Sequence, residues 1–500
     1  MFARVLIANR GEIAMRVIRA CRELGVESVA VFSDADARAL HASAADTAIR
    51  IGGAAPADSY LSIDAIVGAA RRVGADAVHP GYGFLSENAA FAAACDAAGI
   101  TFIGPPAAAI AQMGSKIAAR RLAEAAGVPV VPGETPAGQS EDAIAAAARR
   151  IGLPVLLKPA AGGGGIGMKA VHDESTLLAA IAQARREAVS AFGDGTLYVE
   201  RLIDRPRHVE FQVMADRHGG VVHLFERECS IQRRHQKVIE ETPSTAVTPA
   251  LRSRMGTAAV AVARAAGYVN AGTVEFLVSG TGDDASFYFL EMNTRLQVEH
   301  PITEQVTGVD LVRAQIAVAA GEPLPWTAER LAQRGHAIEM RVYAEDPARD
   351  DLPQAGRLLL YREPSMPGVR VDSGYEEGSE VSVHYDPLVA KVIASSDSRE
   401  SARRRAVAAL RDFPILGIRT NIPLLLDILE HPRFAHGDLD TGFLDAESDR
   451  LPARTRPEPP PEVLAVAAAV RATRDEAAAA PSHDGPSPDD PWMSLRGARV

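Results

Sequence analysis

The segment Phe287-Tyr-Phe-Leu-Glu-Met-Asn-Thr-Arg-Leu-Gln-Val-Glu-His300 constrains this chain more than any other. It opens as an apolar strand and then sets Glu291, Asn293, Arg295, Gln297 and Glu299 at alternate positions. In a continued strand those five side chains share one face, because strand side chains alternate at period two. An acid, amide, cation, amide and acid in a row cannot form a hydrophobic core. Burying such charges unpaired is costly, so the row needs a metal, a substrate or its own ion pairs. A solvated sheet edge is the alternative, and the apolar lead-in, typical of a buried strand, argues against it.

At 500 residues the chain exceeds one ordinary core, so two to four domains are expected. No apolar run approaches the ~18 residues that span a bilayer, and the first ten residues lack a signal-peptide core. Three scattered cysteines, Cys21, Cys95 and Cys229, form neither a disulfide framework nor a cysteine-rich zinc site. These features predict a cytoplasmic protein. A formal charge of −11 speaks against general nucleic-acid binding, which favours a basic face.

Val5-Leu-Ile-Ala8, helix-spaced Ile13, Val17, Ile18, Cys21 and Leu24, the stop at Gly25 and Val29-Ala-Val-Phe32 predict a βαβ unit and a parallel sheet. No G-x-G-x-x-G follows the first strand, so a dinucleotide site is not indicated. Ala77-Val-His-Pro-Gly-Tyr-Gly-Phe-Leu85 reads as a strand end entering a turn, where open α/β sheets place ligands. Further on, Gly162, Gly163, Gly164, Gly165 and Gly167 lie between a strand ending in Lys158 and another beginning near Met168. A glycine hairpin lets backbone N–H groups crowd an anion and is read as a phosphate-binding lid rather than a flexible tether. It lacks the Gly-Lys-Ser/Thr of a P-loop. Glu275, Glu291 and Asn293 offer hard oxygen ligands suited to magnesium shared with a triphosphate.

The chain resembles the biotin carboxylase component of biotin-dependent carboxylases, of the acyl-CoA carboxylase α-subunit type, within the ATP-grasp ligases. The matching segments are Ile7–Ala14, His79–Asn88, the glycine loop, Pro206–Glu210, Arg227–Lys237, Glu291–Thr303 and His336–Asp346. The resemblance implies an α/β and α+β multidomain fold. It has a parallel-sheet N-domain over 1–115, an ATP-grasp domain over 116–320 with a mobile lid at about 131–204, and a C-terminal domain over 321–446. The last is the latter part of one large α+β body from about 205, and a Pro/Ala-rich tail over 447–500 could begin a bridging region.

The same resemblance implies the site. Lys116, Lys158, the lid glycines, Glu200, His208, Gln232 and His235 fall at ATP-binding positions. Glu275, Glu291 and Asn293 fall at the ligands of Mg2+ (or Mn2+). Lys237, Arg295, Gln297, Val298 and Glu299 fall at the bicarbonate site, with Glu299 as base and Arg341 as the cation beside biotin's ureido oxygen; Lys237, Arg295, Glu299 and Arg341 form the catalytic set. The implied activity is MgATP-dependent carboxylation of biotin by bicarbonate through carboxyphosphate, the first half-reaction of an acetyl-, propionyl- or methylcrotonyl-CoA type carboxylase. Ile166 stands where the family's lid has a basic residue, and no Met-Lys-Met biotinylation motif occurs. Biotin is therefore expected on a separate carrier domain or protein, alongside a homodimeric arrangement and a carboxyltransferase subunit, without nucleic acid or membrane. The competing readings are another ATP-grasp carboxylase or ligase, and a non-catalytic nucleotide-binding subunit.

Overall fold

The structure, a computed structural model, describes residues 1–160, 167–233, 236–455 and, apart from 463 and 467, 461–469. The N-terminal sheet is built from β1 (Arg4–Ile7), β2 (Glu27–Ser33), β3 (Thr47–Gly52), β4 (Ala77–His79) and β5 (Thr101–Phe102). All are parallel, in the order β3-β2-β1-β4-β5. Helix α1 (Gly11–Leu24) buries Ile13, Val17, Ile18 and Cys21, the stripe its spacing predicts. Gly25, at φ 68°, closes it in the left-handed conformation that glycine adopts without strain. Strand order reverses between β1 and β4, so the loops leaving these two strands border a crevice. Asn9 ties them together, donating to the carbonyls of Pro80 at 2.7 Å and Tyr82 at 2.8 Å.

Residues 133–201 contain a small antiparallel sheet, ordered Gly133–Glu134, Leu197–Arg201, Val155–Pro159, Lys169–Val171. Helices Glu141–Ile151 and Leu177–Phe192 cover it, and Ile144, Val155, Leu157, Leu177, Ile181 and Val199 make a core of their own. The glycine run Gly162–Gly165 and Ile166 fall outside the described residues.

The site is carried by an eight-stranded antiparallel sheet. Its order is Ser286–Asn293, Asn270–Ser279, Arg207–Ala215, Val221–Arg233, Gln236–Thr242, His336–Tyr343, Leu388–Ser396, Val369–Ser373. Helix Pro249–Ala265 packs on one half around Phe211, Met255 and Phe276. Helices Arg399–Arg411 and Ile422–Glu430 pack on the other around Met340, Leu410 and Leu425. Because every pairing is antiparallel, hairpins bring residues far apart in sequence to one side of the sheet.

Two expectations are corrected. The strand from Ser286 ends at Asn293 and does not continue through Glu299; a turn intervenes, and helix His300–Thr307 begins with Glu299 at its N-cap. Pro301 in the first helical turn is the physical reason, since its fixed φ and missing N–H favour a helix start over a strand. Strand alternation is lost there, and neighbours Leu296 and Gln297 are both buried. The compact body also runs to Arg454 rather than stopping at 446. Leu451 is 1% exposed within the core, and Ala453 N–H donates to Asp427 at 2.7 Å, so residues 447–454 belong to the body. Within 455–500, the described residues of 461–469 are helical.

Candidate active site

A cleft of about 1120 Å³ opens over the eight-stranded sheet. Every anticipated site residue that the structure describes lines it, save Gly167. His235 lies outside the described residues. Gly167 sits at φ 75°, where a Cβ would meet the Pro159 ring at 3.0 Å, so this position demands glycine.

Glu299 is held from two sides. It is 2% exposed; Lys237 Nζ donates to its Oε1 at 2.6 Å and Arg341 Nη2 to its Oε2 at 2.9 Å. Burial pushes this carboxyl up, but Lys237, Arg341 and Arg227 outweigh it and hold the group well below the usual carboxylate range. Glu299 is therefore an anion braced between two cations. Lys237 is shared three ways, reaching Glu210 and, at 3.0 Å, Glu275. Arg341 is shared two ways, its Nε donating to Glu240 at 2.6 Å.

The amide row survives the loss of strand geometry. Gln297 Nε2 donates to Glu275 at 2.9 Å and to Asn293 Oδ1 at 2.7 Å, and Arg295 Nη2 reaches the same Asn293 oxygen at 3.3 Å. Glu275 and Glu291 lie directly opposite one another on adjacent strands. Burial pushes Glu291 up and Glu275 adds to the rise, while Lys116 opposes it from across the cleft. Two carboxylates facing each other are unfavourable unless a cation is shared, so Glu275, Glu291 and Asn293 fit a divalent metal. His208 stands 3.0 Å from Glu275; burial lowers its pKa, but that carboxylate raises it further. On the opposite wall Lys158 pairs with Glu200. Lys116 is pushed down by burial and by Lys158, with Glu291 and Glu200 opposing, and both lysines line the cleft.

Three organising residues escaped the sequence reading. Arg227 is wholly buried and donates to Glu210, Gln212 at 2.8 Å, Thr303 at 2.9 Å, Thr273 at 3.1 Å and Gln297 at 2.7 Å. Glu210 joins Arg227 to Lys237. Glu87, from the loop after β4, accepts the Thr294 N–H at 2.9 Å and Arg295 Nε at 2.9 Å. Arg227 and Glu210 lie on neighbouring strands and Glu87 lies 208 residues before Arg295, so no local spacing could reveal these contacts.

Family comparisons match this architecture along the chain. Residues 1–110 match the biotin carboxylase N-terminal domain, 115–327 the ATP-binding domain of the carbamoyl-phosphate synthase L chain, and 339–446 the biotin carboxylase C-terminal domain. A pyruvate carboxylase subunit from Methanothermobacter thermautotrophicus is 52% identical over 456 residues, spanning 91% of this chain and 92% of that protein. Biotin carboxylase of Halalkalibacterium halodurans is 51% identical over 444 residues, spanning 89% of this chain and 97% of the other. Among solved structures, the biotin carboxylase domain dimer of Hydrogenobacter thermophilus 2-oxoglutarate carboxylase, in complex with MgADP, ADP and bicarbonate, superposes with a TM-score of 0.86. It shares 44% identity, over 92% of this chain and 100% of that one. The chain belongs to the biotin carboxylase family of ATP-dependent ligases, which carboxylate biotin with bicarbonate.

Proposed function

We propose that Glu299 is the base that takes the proton of bicarbonate, and that the surrounding cations govern when it can do so. The observation that carries this is its bracing between Lys237 and Arg341. Ionised and fully desolvated, Glu299 can only accept a proton. Its two cations weaken it as a base until an incoming anion shares them, which couples deprotonation to substrate entry. Bicarbonate oxygen, freed of its proton, attacks the γ-phosphorus of ATP; the bond from that phosphorus to the bridging oxygen breaks, and ADP leaves carboxyphosphate behind. Lys237, Arg295 and Gln297 line the same cleft as Glu299 and would hold that anion.

Glu275, Glu291 and Asn293 would hold magnesium, which when bound neutralises triphosphate charge. Lys116 and Lys158 add positive charge nearby. The bond from the carboxyl carbon to the phosphate oxygen of carboxyphosphate then breaks, and the released phosphate takes the proton of biotin's ureido nitrogen. That nitrogen bonds to the carboxyl carbon, while Arg341 stabilises the negative charge that develops on the ureido oxygen. Biotin arrives on a carrier domain or protein and leaves for a carboxyltransferase of the acyl-CoA type. A homodimer is the proposed assembly, the form of the Hydrogenobacter domain. In the test, purified chain releases ADP from MgATP only with bicarbonate, and free biotin accelerates the release. Equal release with and without biotin would remove Arg341 and the carrier from this scheme.

A further inference from the structure

Behind Arg341 lies a second acidic pair that the proposed chemistry leaves unused. Glu240 and Glu339 stand directly opposite each other on antiparallel strands Gln236–Thr242 and His336–Tyr343, and both are 0% exposed. Opposed strand residues bring their Cβ atoms to roughly 4.5–5.5 Å. Glu240 Oε1 accepts Arg341 Nε at 2.6 Å, while its Oε2 and both oxygens of Glu339 meet no donor among the described residues.

The cations nearby are already committed. Lys391, on strand Leu388–Ser396, donates to the Val298 carbonyl at 2.8 Å and pairs with Glu12 at 3.1 Å. Arg341, two residues along from Glu339, is taken by Glu240 and Glu299. At the N-cap of helix His300–Thr307, which packs on this strand pair, Glu299 is anionic. His300 beside it is driven well below its ordinary pKa by burial and by Lys391, and its ring Nδ1 lies 2.7 Å from the Gln297 carbonyl. A buried carboxylate with no donor and another carboxylate across the strand is far cheaper to hold protonated.

We propose that Glu339 is a neutral carboxylic acid whose proton it shares with Glu240 across the strand pair, and that Glu240 is the positioning residue aiming Arg341 at the cleft. The directions of titration agree. Burial pushes Glu339 up, Lys391 opposes, and Glu240 and Glu299 add to the rise. Burial likewise raises Glu240, to about 7, against the pull of Arg341. Moving the proton from Glu339 to Glu240 changes no net charge, yet it loosens Arg341 from its rear anchor and leaves the guanidinium to Glu299 and to whatever enters the cleft. The pair is thus a means of grading the cation's strength without importing a proton from solvent. The positioning role rests on the assignment of Arg341 to biotin; the protonation of Glu339 does not.

Infrared difference spectra of the full chain against Glu339→Gln at pH 8 test the proton directly. The carbonyl stretch of a protonated carboxyl should be present in the parent and missing from the variant; a parent without that band overturns the proposal. Glu240→Gln tests the positioning, because an amide oxygen still accepts from Arg341 but carries no charge. The kcat for free-biotin carboxylation should fall about 10²-fold, the cost typical of a misplaced reacting group, with the KM for MgATP unchanged. A variant that loses thermal midpoint and MgATP affinity together, with no separate fall in kcat, has only a structural defect, and the positioning role is then wrong. Retained carboxylation in Arg341→Met would instead overturn the biotin assignment and leave the infrared result standing.

Discussion

Lys391 Nζ donates to the Val298 carbonyl at 2.8 Å, fastening the turn that carries Glu299 to a strand of the C-terminal half. The ammonium is 0% exposed and also pairs with Glu12 at the start of α1, so one buried cation joins the N-terminal sheet layer, the turn before Glu299 and the large sheet. Lys391→Met leaves Glu12 buried without its cation. Breaking such a pair costs about 3–5 kcal/mol, which urea denaturation at neutral pH should show. A change below about 1 kcal/mol, the worth of a surface pair, would mean that Glu12 is compensated elsewhere.

Glu299→Gln keeps the size and hydrogen-bonding reach of the side chain but cannot accept the bicarbonate proton. Biotin-dependent ADP release should fall about 10²–10⁴-fold while MgATP binding by calorimetry persists. Near-normal turnover would place the base elsewhere.

Glu87 holds Arg295 from the N-terminal sheet layer. Glu87→Gln should raise the KM for bicarbonate more than that for MgATP, since the amide loses the charge that fixes the guanidinium. Steady-state kinetics with bicarbonate varied at saturating MgATP gives the answer, and an effect confined to MgATP would reverse the assignment.

Acid stability has a named contributor. Burial raises the Glu241 carboxyl, but hydrogen bonds from His336 and Arg399 lower it more, to about 2 from an ordinary 4.5. A depressed carboxyl stabilises the fold above its unfolded pKa, and that contribution disappears as pH falls from about 4.5 toward 2. It amounts to about 3 kcal/mol at neutral pH on the scale of 1.4 kcal/mol per pKa unit. In urea titrations Glu241→Gln should be markedly less stable than the parent at pH 6, with the gap closing toward pH 2. A gap of constant size across that range would show that the effect is not ionisation.

Truncation separates body from tail. Removing residues 455–500 should leave the thermal midpoint and free-biotin carboxylation unchanged. Removing 451–500 also takes away Leu451 and the ion pair of Arg454 with Asp351. Losing a buried leucine alone costs about 1.5–3 kcal/mol, so this midpoint should drop by several degrees. Equal midpoints would return the boundary to the shorter position.

The extent to which the chain was readable follows from the range of the forces involved. The βαβ start was legible in the spacing of Ile13, Val17 and Cys21 with Gly25 behind them, because helix periodicity and capping are local. That Glu275, Glu291, Asn293 and Glu299 gather in one cleft was legible too, since polar groups set in or just after apolar strands need partners. Where those groups point was not. A strand was expected through Glu299, and a helix start at Pro301 replaced it, yet Glu299 still reached Lys237 and Arg341. Arg227, Glu87, Lys391 and the Glu240–Glu339 pair depend on strands and loops tens to hundreds of residues apart, in registers that turns and packing jointly fix. The sequence by itself determined which chemical groups are present and which local elements carry them. Only the tertiary structure decided which charges meet, and in a desolvated cleft that pairing is what sets each group's protonation and its role.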